Sequence, residues 1–258
     1  MVHLGALPGA PRFAHDLEDV VRRALDDART LAGGGCDALL VENFGDTPFY
    51  PDVVPAETVA AMTRCVREIV AAVAPLAVGV NVLRNDARAA LAICAATDAR
   101  FVRVNVHAGV AAADQGLLLG RAHDTVRERA RWAPHVAILA DVLVKHATPL
   151  GRASLTDCIE DVTRRAHADA VIVSGSATGR APDAAALREA HRAARGVPVF
   201  AGSGIDALNA GELLGTIDGA IVGTSLKKDG DVHAAVDPER VRAFRAALER
   251  VRRATARA

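Results

Sequence analysis

Near the middle of the chain, Asp141-Val-Leu-Val-Lys-His146 sets a carboxylate, an amine and an imidazole within six residues. Such a group can carry out proton transfer, Schiff-base formation or metal-assisted chemistry. The plain alternative is that Lys145 and His146 are solvated loop residues. Two further stretches, Val197-Pro-Val-Phe-Ala-Gly-Ser-Gly204 and Ile217-Asp-Gly-Ala-Ile-Val-Gly-Thr-Ser225, are short apolar runs that break into glycine beside a hydroxyl. Glycine lets backbone N–H groups approach a ligand, and a following helix adds its positive end. Phosphate binding is therefore expected at Gly202, Ser203, Gly204, Gly223 and Thr224, against the alternative that these are turn residues.

The elements that must position these groups follow a regular alternation. A helix runs from an Asp16 cap to Leu31, and strand two is Asp37–Asn43. Pro55 and Glu57 open a helix to Val73, followed by strand three at Leu76–Asn81 and a helix at Asp86–Thr97. Strand four is Arg100–His107. After a longer loop and a helix ending at Trp132 come strand five at Val136–Asp141, a helix at Ser154–His167 and strand six at Asp169–Ser174. A helix at Asp183–Ala194 precedes the two glycine-ended strands, and helices at Asp206–Leu214 and Pro238–Arg252 complete the series. Eight strand-helix units without a return hairpin argue for parallel pairing through right-handed crossovers. Asp37-Ala-Leu-Leu-Val, Asp169-Ala-Val-Ile-Val and Asp218-Gly-Ala-Ile-Val repeat one pattern, as stacked units around a ring would. The predicted fold is α/β, a single (β/α)8 TIM barrel over residues 1–258. Its first strand is shortened, because only Met1 to Leu4 precede the first glycine loop.

Barrel sites lie where strands end, so the polar groups there form the candidate ring: Glu42 and Asn43, Asn81, Asn105 and His107, Asp141, Ser174, with His3 beside them. Strand four alternates strictly, which puts Arg103, Asn105 and His107 on the inner face and Val102, Val104 and Val106 against the helices. An inward guanidinium needs a carboxylate, and Asp141 or Glu42 is the expected partner of Arg103. The reading assigns chemistry to Asp141, Lys145, His146 and Glu42, and substrate contacts to Arg103, Asn105, His107, Asn81 and Ser174. A divalent metal on Asp141, His146 and Glu42 is compatible with the donor types, though spacing alone does not specify one. No organic cofactor is indicated. His15, His123, His135, His167, His191 and His233 fall on helices or outer loops and read as structural.

Composition narrows the partners. The 258 residues carry 31 Lys plus Arg against 31 Asp plus Glu, which argues against nucleic acid or an anionic membrane surface. Apolar residues make up 51%, yet every run is interrupted too early to span a bilayer. Cys36, Cys65, Cys94 and Cys158 lack metal-binding spacing and read as free thiols in a reducing cytoplasm. A homo-oligomer is left open.

Long strings then resemble the BtpA/SgcQ family, whose members are similar to ribulose-phosphate-binding barrels. They are Met1-Val-His-Leu-Gly-Ala-Leu-Pro-Gly9, Val41-Glu-Asn-Phe-Gly-Asp46, Gly79-Val-Asn-Val-Leu-Arg-Asn-Asp86, Arg103-Val-Asn-Val-His107, Asp114-Gln-Gly116 with Gly120-Arg121, Ala140-Asp-Val-Leu-Val-Lys-His146, Val173-Ser-Gly175 with Thr178-Gly179, and Gly202-Ser-Gly204 with Val222-Gly-Thr-Ser-Leu-Lys227. The resemblance implies either an enzyme on a small phosphorylated, sugar- or nucleotide-like metabolite, working by proton-transfer, lyase or isomerase-type chemistry, or a non-enzymatic factor in photosystem I biogenesis. Two departures stand out. Family members usually carry apolar residues ahead of Met-Val-His-Leu, so a late start is expected for this chain. Leu119 stands where an acidic residue is expected before Gly120-Arg121. A pure docking protein should show an apolar outer patch, and none is evident in the sequence.

Overall fold

The computed structural model describes residues 1–151, 154–175 and 181–255. Thr178 and Gly179, quoted among the family strings, lie outside them. Eight strands form one parallel sheet: β1 (Val2–His3), β2 (Ala38–Glu42), β3 (Ala77–Asn81), β4 (Phe101–Val104), β7 (Ala137–Val142), β9 (Ala170–Ser174), β10 (Val199–Gly202) and β11 (Gly219–Ile221). They pair in chain order, as crossover connections between successive strands require. The intervening helices are α1 (Leu17–Gly33), α2 (Ala56–Val73), α3 (Ala87–Thr97), α4 (Ala122–Trp132), α5 (Leu155–Glu160), α6 (Ala184–Ala194), α7 (Ala210–Leu213) and α8 (Pro238–Thr255). Four start where the sequence supplies a cap, since the side chains of Asp16, Asp86, Ser154 and Asp183 accept hydrogen bonds from first-turn N–H groups.

The sheet curls until its first and last strands meet. At that seam the Met1 amine donates to the Val222 carbonyl at 2.8 Å, but no strand ladder joins β1 to β11. β1 pairs with β2 only at Val41 and Glu42. The arrangement is a curled eight-stranded sheet in barrel order, and the ladder expected to close it between its first and last strands is not formed.

Alternation divides each strand. Outward residues such as Val41, Val80, Val102 and Ile138 join Met62, Ile69 and Leu91 in a buried cluster reaching from Val2 to Ala247. Each such side chain contributes about 1.5–3 kcal/mol of burial. Inward, glycine faces aromatic: a Cβ on Gly79 would lie 2.1 Å from the Phe101 ring, and one on Gly219 would lie 2.9 Å from Phe200. The aromatics fill what the glycines leave open.

Several expected boundaries move. β4 stops at Val104, and the predicted long loop folds into a small antiparallel sheet of β5 (Val110–Ala113), β6 (Gly116–Leu119) and β8 (Ala147–Pro149), in the order β6-β5-β8. Val106, Ala111, Leu118 and Val144 pack beneath it. The fifth helix passes into a π turn at Asp161–Arg165, and the predicted helix over 206–214 contracts to α7 plus a 3-10 turn. All four cysteines are free, with Cys65 and Cys94 buried and Cys36 and Cys158 partly exposed. Among the described residues no helix is long and apolar enough to cross a membrane.

Candidate active site

Where the strands end, the inward polar side chains form one connected floor. Arg103 from β4 grips Asp141 from β7 with both arms, Nε to Oδ2 at 2.9 Å and Nη2 to Oδ1 at 3.0 Å. Asn105 donates to Asp141 Oδ2 at 2.8 Å, and the Ser174 hydroxyl donates to Oδ1 at 3.3 Å. Asn81 supports Asn105 by donating to its Oδ1 at 3.2 Å. Glu42 lies 3.9 Å from the Arg103 Nη1. The expected pairing of Arg103 with these two carboxylates is present.

This geometry reassigns Asp141. Its side chain is fully buried and both oxygens are engaged by Arg103, Asn105 and Ser174, so it holds the anchor rather than facing a reactant. Burial opposes the charge on Arg103, but the charge and hydrogen bonds of Asp141, with Glu42 added, outweigh it and raise its pKa. The guanidinium is locked in place and permanently cationic.

Above the floor lies a cavity of about 180 Å³. Glu42, Arg103, Lys145 and His3 line one part of it, and Ser203, Gly204, Gly223, Thr224 and Ser225 line another. Burial pushes the Glu42 carboxyl upward, against the opposing pull of Arg103, Lys145 and Arg84. Burial, followed by the Arg103 charge, pushes the Lys145 amine downward, against Glu42 and Asp141. His3 is held well below its ordinary value, first by burial and then by the nearby amino terminus and lysines. Its Nε2 is 3.7 Å from Glu42 Oε2, and its ring packs on Phe44 with centroids 4.7 Å apart. Its Nδ1 is buried without a hydrogen-bond partner among the described residues. The shifts run toward the protonated form of Glu42 and the unprotonated forms of Lys145 and His3, the forms that proton transfer between them uses.

The two glycine turns meet at this cavity, though by backbone rather than by long helices. Ser203 and Gly204 both adopt positive φ, 69° and 67°. Asn209 donates to the Gly204 carbonyl at 2.8 Å and Ser225 to the Ile205 carbonyl at 2.7 Å, tying the turn after β10 to the turn after β11. α7 begins only at Ala210 and has four residues, so the longer helix expected after β10 is not there, and a 3-10 turn, Thr224–Leu226, follows β11. Gly202 has a different role. A Cβ there would lie 2.7 Å from Ser174 Oγ and 2.8 Å from Ile172, so it is a packing glycine and does not line the cavity.

Two expected members are elsewhere. Because β4 ends at Val104, alternation no longer governs His107, whose Nε2 meets the Ala166 carbonyl at 3.0 Å among the outer helices. Burial lowers its pKa. His146 is exposed, at φ 57°, and does not line the cavity. Among the described residues no three His, Cys, Asp or Glu side chains converge to hold a metal ion, so Asp141, His146 and Glu42 are not brought together as ligands. Asn43 braces the loops instead, accepting from Leu83 N at 2.7 Å and donating to Asp46 at 3.0 Å.

Sequence reasoning missed Arg84 and left His3 out of the assigned site. Arg84 is buried, and its Nη2 donates to the Lys145 carbonyl at 2.8 Å, fixing the loop that carries the amine. It sits just past β3, where the strand-end rule that selected Asn81 would have reached it. The small antiparallel sheet also carries exposed Leu117 and Leu119, with Leu150 beside it. This apolar surface was not evident from the sequence.

A model of the BtpA family matches residues 1–250. The chain is 49% identical to the photosystem I biogenesis protein BtpA of Synechocystis sp., over 95% of this chain and 85% of that one. It is 33% identical to the putative sgc region protein SgcQ of Escherichia coli, over 98% and 94% of the two chains. Among solved structures, N-(5'-phosphoribosyl)anthranilate isomerase from Pyrococcus furiosus superposes with a TM-score of 0.56 at 14% identity, covering 88% of this chain and 94% of that one. KGPDC from Streptococcus mutans gives 0.56 at 12% identity, covering 89% and 92%. These two likenesses establish the fold.

Proposed function

The chain belongs to the BtpA family, and from that membership and the geometry of the mouth we propose an enzyme that acts on a small phosphorylated metabolite by proton-transfer, lyase or isomerase-type chemistry. The observation that carries this reading is the single cavity lined by Glu42, Lys145 and Arg103 together with Ser203, Gly204, Gly223 and Thr224. A phosphate held by the turn N–H groups would leave the remaining carbons against Glu42, Lys145 and His3. Arg84 and Arg103 outnumber Asp141 nearby, and burial shifts Glu42 toward its neutral form, which favours an anionic ligand. The cavity's size suits a small metabolite rather than a dinucleotide. The isomerase from P. furiosus is named for a phosphoribosyl compound, which is consistent with this reading without identifying the substrate.

Calorimetric titration with glycerol 3-phosphate and with glycerol tests the grip. Gly204→Val crowds a backbone at φ 67° and should weaken the phosphorylated ligand at least about tenfold while barely altering the weak binding of glycerol. Equal affinity of both proteins for glycerol 3-phosphate would displace the phosphate site.

A second reading, a non-enzymatic factor in photosystem I biogenesis, draws on the name of the Synechocystis relative and on exposed Leu117, Leu119 and Leu150. It would gain if a Glu42→Gln, Lys145→Arg double variant replaced that relative in photosystem I biogenesis as well as the unaltered chain does.

A further inference from the structure

Only three of the 31 Lys and Arg residues are lysines: Lys145, Lys227 and Lys228. Lys227 is buried in an ion pair with Asp27, and Lys228 is exposed. Lys145 is the remaining one, and its position is unlike either. Its amine makes no hydrogen bond or ion pair with the described residues, although two carboxylates act on it. Asp141 is fully engaged with Arg103, Asn105 and Ser174, and Glu42 faces Arg103 and His3. A chain that supplies almost every other positive charge as arginine keeps an amine at the wall of the cavity. For charge alone a guanidinium would serve; it cannot serve as a carbonyl nucleophile.

We propose that Lys145 forms a Schiff base with a phosphorylated ketone or aldehyde whose phosphate rests on the turns at Ser203–Gly204 and Gly223–Thr224. The inference rests on the reading of the mouth as a phosphate-ligand site. The neutral amine attacks the carbonyl carbon, and the C=O electron pair moves to oxygen, which takes a proton from Glu42. The nitrogen then returns a proton to the Glu42 carboxylate, giving a neutral carbinolamine and a protonated acid. Glu42 next protonates the hydroxyl, which leaves as water while the nitrogen lone pair forms C=N. The sum is amine, carbonyl and carboxylic acid giving protonated imine, water and carboxylate. The imine cation ends beside the Glu42 anion, and a carbon–hydrogen or carbon–carbon bond next to it can release its electron pair into the C=N. Burial raises the Glu42 pKa, and burial and then Arg103 lower that of Lys145, so each shift runs toward the form these steps use. Arg84, through its bond to the Lys145 carbonyl, acts as a positioning residue.

Borohydride trapping tests this. The whole protein is incubated near pH 7 with dihydroxyacetone phosphate or glyceraldehyde 3-phosphate, reduced, and measured by intact mass and peptide mapping. The expected product is one adduct of the probe less one oxygen atom, located at Lys145 and suppressed by excess inorganic phosphate. Lys145→Arg should abolish the adduct and still bind phosphate in calorimetry, while Lys228→Arg should leave the adduct intact. An adduct spread over Lys228 and the amino terminus, or one indifferent to phosphate, overturns the assignment. Probes that bind in competition with phosphate but leave no adduct overturn the Schiff base and keep the phosphate site; no binding of either probe or of phosphate overturns both.

Discussion

The two ends of the curled sheet differ by a single step of the strand period. At the mouth the last inward residues are Glu42, Asn81, Arg103, Asp141 and Ser174; two residues earlier on the same strands stand Leu40, Gly79, Phe101, Leu139 and Ile172. The mouth is a hydrogen-bonded network around a cavity of about 180 Å³. The base holds a larger space of about 900 Å³, lined by Leu40, Phe101, Leu139, Phe200 and Ile221 and reaching Phe244 and Leu248 of α8. It lies beside the seam, where β1 covers only the last two residues of β2. Size alone would choose the base as the site. Converging polar groups with displaced pKa values choose the mouth, and that criterion carries chemistry.

The largest expected effect comes from breaking the mouth's buried pair. Asp141→Asn leaves the Arg103 guanidinium without its carboxylate and should cost about 4 kcal/mol in urea unfolding. Replacing both residues, with Arg103→Met and Asp141→Leu, should recover most of that stability while abolishing ligand binding. A stable single variant would show that Asp141 is not the anchor described here. At the base, Phe101→Ala should cost about 3 kcal/mol and leave the affinity for glycerol 3-phosphate unchanged. Loss of that affinity would mean that the two ends are coupled.

The smallest effect concerns pH. His3 and His107 are buried with pKa values below 6.5 in the folded chain, so below about pH 6.5 the unfolded chain takes up protons that the folded chain does not. The stability they contribute is present above that value and is lost as the pH falls below it. The slope reaches at most about 1.4 kcal/mol per pH unit for each histidine. Glu42 acts in the opposite sense, its contribution present below 4.5 and lost as pH rises through its raised value. His107→Gln should therefore flatten the acid side of the stability profile measured by urea unfolding between pH 5 and 7, and an unchanged slope would contradict a neutral, buried His107.

Much of this arrangement was legible because the strands repeat a simple rule. Period two located Arg103 on the inner face, and the cost of burying a guanidinium implied Asp141 or Glu42 as its partner. What escaped was the outcome of that pairing, since the same bond that satisfies Arg103 withdraws Asp141 from chemistry and leaves Glu42 and Lys145 facing the cavity. His107 was misplaced because alternation was extended three residues beyond the end of β4. Gly202 was read as a ligand turn because nothing local shows that Ser174 and Ile172 occupy its Cβ space. The small sheet of β5, β6 and β8 joins segments 34 to 38 residues apart, and its short apolar runs carry no turn signal that pairs Ala111–Ala113 with Ala147–Pro149. His3 became important only when β1 aligned it with Glu42.

The most direct test is a crystal structure of the protein soaked with glycerol 3-phosphate. The account predicts the phosphate within hydrogen-bond distance of backbone N–H groups of Gly204 and Thr224, with the glycerol carbons directed toward Glu42 and Lys145. A phosphate bound only at the base, or at surface arginines away from this cavity, would contradict it.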